Sequence, residues 1–78
     1  MNKLNVWTEW LDKYLTTVIE NNNLNGVVRV RDLILLLYPL FEKSKYSNQI
    51  TLNNYHVGRA MRRLGYKSFR TKERFWVI

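Results

Sequence analysis

Residues 51–78, TLNNYHVGRAMRRLGYKSFRTKERFWVI, determine how the rest of the 78-residue chain is interpreted. The first half has the spacing of an amphipathic helix that stops at Gly65, and the second half mixes basic and aromatic residues as a short hairpin does. Residues 58–78 hold seven of the thirteen Lys and Arg residues and one of the six Asp and Glu residues, which is +6 of the formal net charge of +7. The positive charge is therefore concentrated in one helix and the segment after it.

Length and composition predict one small domain spanning residues 1–78. A chain of this size buries only about 60% of its unfolded surface, so its stability is small. It has no cysteine for a disulfide or a thiolate metal site. No stretch approaches the ~20 apolar residues of a membrane span, and the N-terminus, MNKLNVWTEWLDKYL, lacks a secretory pattern. We expect a cytoplasmic protein that does not associate with membranes.

Apolar residues at helical spacing predict a first helix at residues 3–20. The positions on its core-facing side are Leu4, Trp7, Leu11, Tyr14 and Val18. The asparagines at 21–23 and Gly26 tolerate positive φ, so they predict the turn that ends this helix. We expect the aromatic residues of the helix to pack in the core and not to form a ligand box.

A very short strand at residues 27–29 and a second helix at residues 31–41 are predicted next. Pro39 lacks an N–H and clashes with the preceding turn, so we expect a kink or the end of the helix near Tyr38. The apolar stripe is wider than one helix face. The helix is therefore either central to the fold or presents apolar surface to a partner through Leu35, Leu36 and Leu40.

The third helix is predicted at residues 52–64, with Thr51 as N-cap and Gly65 as C-cap. At 100° per residue, the inward side of this helix consists of Val57, Ala60, Met61 and Leu64. The opposite face consists of Leu52, Tyr55, Arg59 and Arg62, flanked by His56 and Arg63.

The segment 66–78 predicts a hairpin of strands 66–70 and 74–78. Trp76 and Ile78 share one face of the last strand and are expected in the core, whereas Phe69 and Phe75 are candidates for stacking on nucleic-acid bases. Basic side chains continue the charge of the third helix. Arg29 and Arg31 are candidates to extend this surface, with solvated side chains as the default interpretation.

Concentrated positive charge predicts a polyanion ligand, because each neutralised phosphate releases condensed counterions. The planar fork of arginine suits phosphates and guanine edges. An ordinary solvated cationic face is the alternative. The predicted nucleic-acid contacts are Asn54, Tyr55, His56, Arg59, Arg62, Arg63, Lys67, Phe69, Arg70, Lys72 and Arg74.

Residues for catalysis are scarce in the sequence. It has no closely spaced carboxylate pair, its three glycines are isolated, and its single histidine has no cysteine or nearby carboxylate as a partner. We expect no enzymatic activity, no cofactor, no metal and no small-molecule substrate.

The predicted order of helix, strand, helix, helix and hairpin is that of a winged helix-turn-helix domain, a mainly α fold with a small β hairpin. The segment HVGRAMRRLGYKSFRTKERFWVI also resembles the winged-helix domain at the C-terminal end of phage- and plasmid-type primase-helicases. The matching positions are Val57, Gly58, Arg59, Met61, Leu64, Gly65 and Tyr66, then Arg70, Arg74, Trp76, Val77 and Ile78.

This resemblance covers the last 28 residues well, and no helicase or primase motif accompanies it. It implies a free-standing DNA-binding protein that is an accessory factor in phage or mobile-element DNA replication, with the third helix as recognition helix and the hairpin as wing. Two alternatives remain: a subunit docking on a polymerase, primase or helicase, and a small phage-type inhibitor of another protein. Single-stranded and duplex DNA are both open as ligands.

Overall fold

The computed structural model describes residues 3–78, with side chains from Val6 onward. Over these residues it contains three helices and one three-stranded antiparallel sheet, which confirms the predicted α+β class. The predicted core position Leu4 lies outside the described side chains. No helix in residues 3–78 combines the length and the apolarity needed to cross a membrane. The elements are α1 (Lys3–Asn21), β1 (Val27–Arg29), α2 (Val30–Glu42), α3 (Asn54–Arg63), β2 (Lys67–Arg70) and β3 (Arg74–Val77).

The first helix ends in the predicted asparagine turn. Asn23 adopts the left-handed conformation, with φ of 51°. The N–H of Leu24 donates to the carbonyl of Ile19 at 3.1 Å, and the N–H of Asn23 donates to that of Glu20 at 3.1 Å. These two bonds form a Schellman motif, which satisfies carbonyls at the helix end.

The second helix runs through Pro39 to Glu42, so it does not end near Tyr38, and its bounds lie within one residue of the predicted 31–41. Proline removes the hydrogen bond to the carbonyl four residues earlier, which belongs to Leu35. Both Pro39 and Leu35 lie on the exposed side of α2, where water can reach that carbonyl. Packing of Leu37 and Phe41, which are buried on the other side, holds the helix together.

The third helix begins two residues later than predicted, and its N-cap is Asn53 instead of Thr51. The Oδ1 atom of Asn53 accepts a hydrogen bond from the N–H of His56 at 3.0 Å. Leu52 precedes the helix and is buried, so its predicted position on the outer helix face is wrong. Leu52 and Val57 occupy the N′ and N4 positions of a hydrophobic staple, in which burial of both residues fixes the entry of the chain.

Gly65 ends α3 as predicted, with φ of 91°. The N–H of Tyr66 donates to the carbonyl of Met61 at 3.1 Å, and the N–H of Gly65 donates to that of Arg62 at 3.1 Å. This is a second Schellman motif, and glycine suits it because it adopts positive φ without steric cost.

The sheet has the order β1-β3-β2, and both pairs are antiparallel. The hairpin of β2 and β3 was predicted, whereas the sequence did not indicate that β1 pairs with β3. In one row across the sheet Val28, Trp76 and Ser68 are aligned, and reciprocal backbone hydrogen bonds between Gly26 and Ile78, at 2.8 and 3.2 Å, extend the first pair. The sheet thus joins the two ends of the segment 26–78.

The core lies between the three helices and one face of the sheet. Trp7 and Trp76 are buried as predicted, and Trp10, Tyr14 and Ile78 are partly buried against the same cluster. The most deeply buried side chains are Trp7, Trp76, Leu11, Leu15, Leu33, Leu37, Met61 and Val57. The inward positions predicted for α3 are therefore confirmed for Val57, Ala60 and Met61, while Leu64 is half-buried.

The position of the α3 N-cap gives a testable prediction. Replacing Asn53 with Ala removes the acceptor for the His56 N–H, so we expect the free energy of unfolding to fall by about 1 kcal/mol. Thr51→Ala is the matched control and should change it by less than ~0.5 kcal/mol. Urea denaturation followed by circular dichroism measures both, and equal losses in the two variants would contradict the assignment.

Candidate nucleic-acid interface

An open groove of about 570 Å³ lies between α3, the start of α2 and the β2–β3 hairpin. Its wall carries one carboxylate, Glu73, and apolar atoms of Val30 and Trp76. Its basic side chains are all arginines: Arg29, Arg31, Arg59, Arg62, Arg70 and Arg74. The groove therefore has a formal excess of five positive charges, and it brings together arginines from three separate parts of the chain.

Helix α3 supplies the first pair of these arginines. Because its inner side is buried in the core, Tyr55, Arg59 and Arg62 lie on the side that faces the groove. The Arg59 guanidinium carbon lies 5.6 Å from the centroid of the Tyr55 ring, within cation–π distance. The Tyr55 ring thus packs against the Arg59 guanidinium on the exposed side of the helix.

The hairpin supplies the second pair, Arg70 and Arg74, which are direct cross-strand partners. Side chains alternate along a strand, so Arg74 lies on the same side of β3 as Trp76 and faces the groove. Its Nη1 donates to the Ser68 Oγ at 3.2 Å. Like charges directly opposite each other destabilise a sheet, so this pair lowers the stability of the hairpin.

The third pair comes from the end of β1 and the start of α2. Arg29 forms an ion pair with Glu73, with 3.5 Å between Nη1 and Oε1, and its guanidinium carbon lies 5.7 Å from the centroid of the Phe75 ring. Arg31 also lines the groove. From the sequence both arginines are candidates to extend the basic surface, with solvated side chains as the default, because the pairing of β1 with β3, which brings them to the groove, has no local signal in the sequence.

Two predicted contacts on α3 face another way. Arg63 donates two hydrogen bonds to the carboxylate of Asp12 on α1, from Nη2 at 2.8 Å and from Nε at 3.2 Å. The half-buried ring of His56 lies edge-on against Trp7, with 5.8 Å between the ring centroids. Both side chains connect α3 to α1 and do not line the groove.

The remaining predicted contacts divide between the groove and other surfaces. Asn54 lines the groove with Tyr55, at the N-terminal end of α3. Lys67 and Phe69 lie on β2 on the face of the sheet that points away from the groove, and Lys72 is exposed in the hairpin turn. Phe69 stacks on Phe75 with 5.4 Å between the ring centroids and an angle of 21° between the ring planes.

The floor of the groove is formed where Gly58 lies over Trp76. A Cβ atom placed on Gly58 would lie 3.9 Å from Cζ2 of Trp76, an ordinary van der Waals distance, and nothing else beyond the adjoining backbone of its own helix and its chain neighbours would come within 4 Å. The Nε1 atom of Trp76 is buried without a hydrogen-bond partner among the described residues. Such an unpaired donor costs roughly 1–3 kcal/mol, and it belongs to a side chain that lines the arginine-rich groove.

Residues 3–78 contain no group of three or more His, Cys, Asp or Glu side chains placed to hold a metal ion. Comparison of the chain with protein-family models, with curated proteins and with solved structures finds no match in any of the three. The residues and the geometry of the groove are therefore the basis for its functional interpretation.

The crowded arginines of the hairpin give a testable prediction about stability. In Arg70→Thr the like-charge pair with Arg74 is removed and a strand-favouring residue is introduced, so we expect the free energy of unfolding to rise by about 0.5 kcal/mol. The gain should shrink as salt is added, because salt screens the repulsion.

Lys67→Thr is the matched control for this change. It removes the same charge from the same strand, opposite the uncharged Val77. We expect a smaller gain that depends less on salt, measured by urea denaturation at low and high NaCl concentrations. A loss of stability in Arg70→Thr at low salt, or a gain equal to that of the control, would contradict the inferred repulsion.

Proposed function

We propose that this chain is a small non-enzymatic DNA-binding protein with a winged helix-turn-helix arrangement, in which α3 is the recognition helix and the β2–β3 hairpin is the wing. The observation that supports this function most is the groove between them, where six arginines meet a single carboxylate. A role as an accessory factor in phage or mobile-element DNA replication rests on the resemblance of residues 56–78 to the C-terminal domain of primase-helicases.

The composition of the groove favours a phosphate backbone as ligand. Arginine donates two parallel hydrogen bonds from a planar group, which matches phosphate oxygens, and it is less strongly hydrated than lysine. The described part of the chain has one ion pair in the groove, between Arg29 and Glu73, and both side chains of that pair are exposed. An exposed pair contributes little to stability, so the charge of the groove is largely available to a ligand.

The exposed side of α3 favours the major groove of a duplex as its binding site. A major groove is about 12 Å wide and admits one α-helix. Tyr55, Arg59 and Arg62 lie on the free side of α3, and Asn54 and Tyr55 at its N-terminal end would be the residues that meet base edges. The hairpin arginines would then lie against the adjacent phosphates.

Salt-dependent binding is the main test of this function. If about four arginines contact phosphates, log K for duplex DNA should fall against log salt with a slope of roughly −3 to −4. The double variant Arg59→Ala/Arg62→Ala should reduce the slope by about 2 and the affinity at least ~tenfold, since hydrogen bonds to charged groups contribute about 1.5–3 kcal/mol each. Fluorescence anisotropy at several salt concentrations measures both quantities.

Arg63→Ala is the closest control, because Arg63 neighbours Arg62 on the same helix but is bound to Asp12. Lys43→Ala removes an exposed charge from the C-terminal end of α2, outside the groove. Each variant loses one positive charge, which slows the electrostatically steered association with DNA. Apart from this general effect, the affinity of both variants for duplex DNA should stay within about twofold of the wild type. Salt-independent binding, or equal losses in Arg62→Ala and Arg63→Ala, would refute the proposed interface.

Gly58 is explained by this interface better than by the fold. A glycine inside a helix costs about 0.5–1 kcal/mol relative to alanine, and Gly58 lies within α3 without the positive φ that requires glycine. The space above Trp76 would accept a methyl group without a clash. Because glycine has no such methyl group, the floor of the groove stays open and a ligand can lie close to it.

The variant Gly58→Ala should therefore change stability and binding in opposite directions. We expect the free energy of unfolding to rise by about 0.5–1 kcal/mol through helix propensity, and the affinity for duplex DNA to fall several-fold because the added methyl group fills the floor of the groove. Urea denaturation and anisotropy on the same preparation measure both. If Gly58→Ala is at least as stable as the wild type and binds duplex DNA with full affinity, the bound DNA does not lie close to Gly58.

A docking function has support of its own on α2. Leu35 is 70% exposed and Tyr38 is 45% exposed, whereas Leu36 and Leu40 are half-buried against the core. The apolar surface expected from three leucines is thus limited to Leu35 and Tyr38. These two residues are the surface through which the chain would dock on a polymerase, primase or helicase, or would inhibit another protein. Leu35→Glu should abolish co-migration with such a partner on size exclusion and leave duplex binding unchanged.

A further inference from the structure

The sheet has a second face that is directed away from the core and, apart from Arg29 on the edge strand β1, also away from the groove. We call it the outer sheet face; its residues alternate along the strands with those that face the core. Two rows cross the three strands on this face, and each row has one residue from each strand. The first row is Val27, Val77 and Lys67, and the second row is Arg29, Phe75 and Phe69.

The second row is a stack of planar groups. The Arg29 guanidinium carbon lies 5.7 Å from the centroid of the Phe75 ring, and the rings of Phe75 and Phe69 are stacked at 5.4 Å. The stack runs from β1 across β3 to β2, which is an edge strand. Arg29 closes one end. The other end is open, because Phe69 is 44% exposed and has no neighbouring strand beyond it.

The charge of the outer sheet face restricts what can cover it. Arg29 and Lys67 lie on it, and the carboxylate of Glu73 is paired with Arg29. A second copy of the chain would bring the same positive side chains together, and each copy carries a formal net charge of +7, so self-association is disfavoured. A suitable occupant is anionic and presents flat apolar groups.

Unpaired nucleotides have both properties. Their bases present π faces that stack on aromatic side chains, and their phosphates carry the negative charge. Inside a duplex the base faces are covered by neighbouring pairs, so internal bases cannot continue the stack beyond Phe69. The outer sheet face also adjoins the proposed duplex groove, because Arg29 lines that groove and lies over Phe75.

We propose that the outer sheet face binds single-stranded nucleic acid, with one unpaired base stacked on the free side of Phe69 and a neighbouring phosphate at Lys67. This inference rests on the proposed DNA-binding function and extends it. The hairpin then has duplex on its groove face and a single strand on its outer face, so a duplex with a single-stranded extension is the substrate class that engages both.

The test compares three DNA ligands: a blunt duplex, a single strand, and the same duplex with a single-stranded extension that contains 2-aminopurine. Phe69→Leu keeps an apolar side chain but removes the ring. Tyr38→Leu is the matched control, since Tyr38 is an aromatic residue of nearly equal exposure, 45%, on α2. We expect the extension to raise the affinity of the wild type above that of the blunt duplex and its 2-aminopurine fluorescence to be quenched on binding.

In Phe69→Leu we expect this gain and the quenching to be lost, with the single-strand affinity reduced about fivefold or more. Duplex affinity should stay within about twofold of the wild type, which also reports that the variant is folded. Lys67→Thr is a second variant that retains the ring. It should lower the slope of log K against log salt for the single strand by about 0.7.

The outcomes separate this inference from the function on which it rests. If the wild type binds none of the three ligands, both are overturned. If it binds duplex through Arg59 and Arg62 but gains nothing from the extension, or if Phe69→Leu and Tyr38→Leu behave alike, the outer sheet face does not bind a single strand. An acidic peptide that displaces the single-stranded extension but leaves duplex binding intact would also overturn the inference, and would indicate a protein ligand for this face.

Discussion

The pairing of β1 with β3 is the interaction on which the rest of this structure depends. It joins Val27 to Val77 and Arg29 to Phe75, residues about fifty positions apart in the chain, and backbone hydrogen bonds between Gly26 and Ile78 continue it. An isolated two-stranded hairpin is at best marginally stable in water. The third strand makes the hairpin a fixed part of the fold, and it carries the start of α2 to the side of the groove opposite α3.

The same pairing gives the sheet two faces with different chemistry. Along β3, Arg74 and Trp76 lie on the face toward the core and the groove, whereas Phe75 and Val77 lie on the outer face. The four residues of β3 thus contribute, in alternation, to the core and the groove on one face and to the outer surface on the other. On the outer face the stacked pair of Phe69 and Phe75 stabilises the sheet, whereas the groove lowers stability through its opposed arginines. In a domain with a small core this cost is large, and sites that cost stability are commonly those that function requires.

Local patterns predicted the elements well because the relevant contacts are local. The apolar spacing of α1, the inward side of α3 and the turns at Asn23 and Gly65 depend on residues within about one helical turn. The N-cap was misplaced because Thr51 and Asn53 are both acceptable caps, and the choice between them depends on burial of Leu52 in a core that the segment alone does not reveal. The sequence also could not decide whether Pro39 would end the second helix, since tertiary packing of Leu37 and Phe41 outweighs the lost hydrogen bond.

The candidate interface was predicted only in part. The phase of α3 correctly brought Tyr55, Arg59 and Arg62 to one surface, but helical phase alone could not show that Arg63 reaches Asp12 on a neighbouring helix. Conversely, Arg29 and Arg31 are distant in sequence from the basic C-terminal segment. Their place in the groove follows from the register of β1 on β3, which is a long-range property.

Arginine and lysine lie on different surfaces of the protein, and this distribution is more informative about a ligand than the net charge is. Six of the seven arginines line the groove, and the seventh, Arg63, is bound to Asp12. The lysines whose side chains are described lie elsewhere: Lys13, Lys43, Lys45, Lys67 and Lys72. General solubility requires only charge, which either residue supplies. A surface built from planar, weakly hydrated donors suits directional bonding to phosphate, and this preference for arginine is why we propose a phosphate backbone as the ligand of the groove.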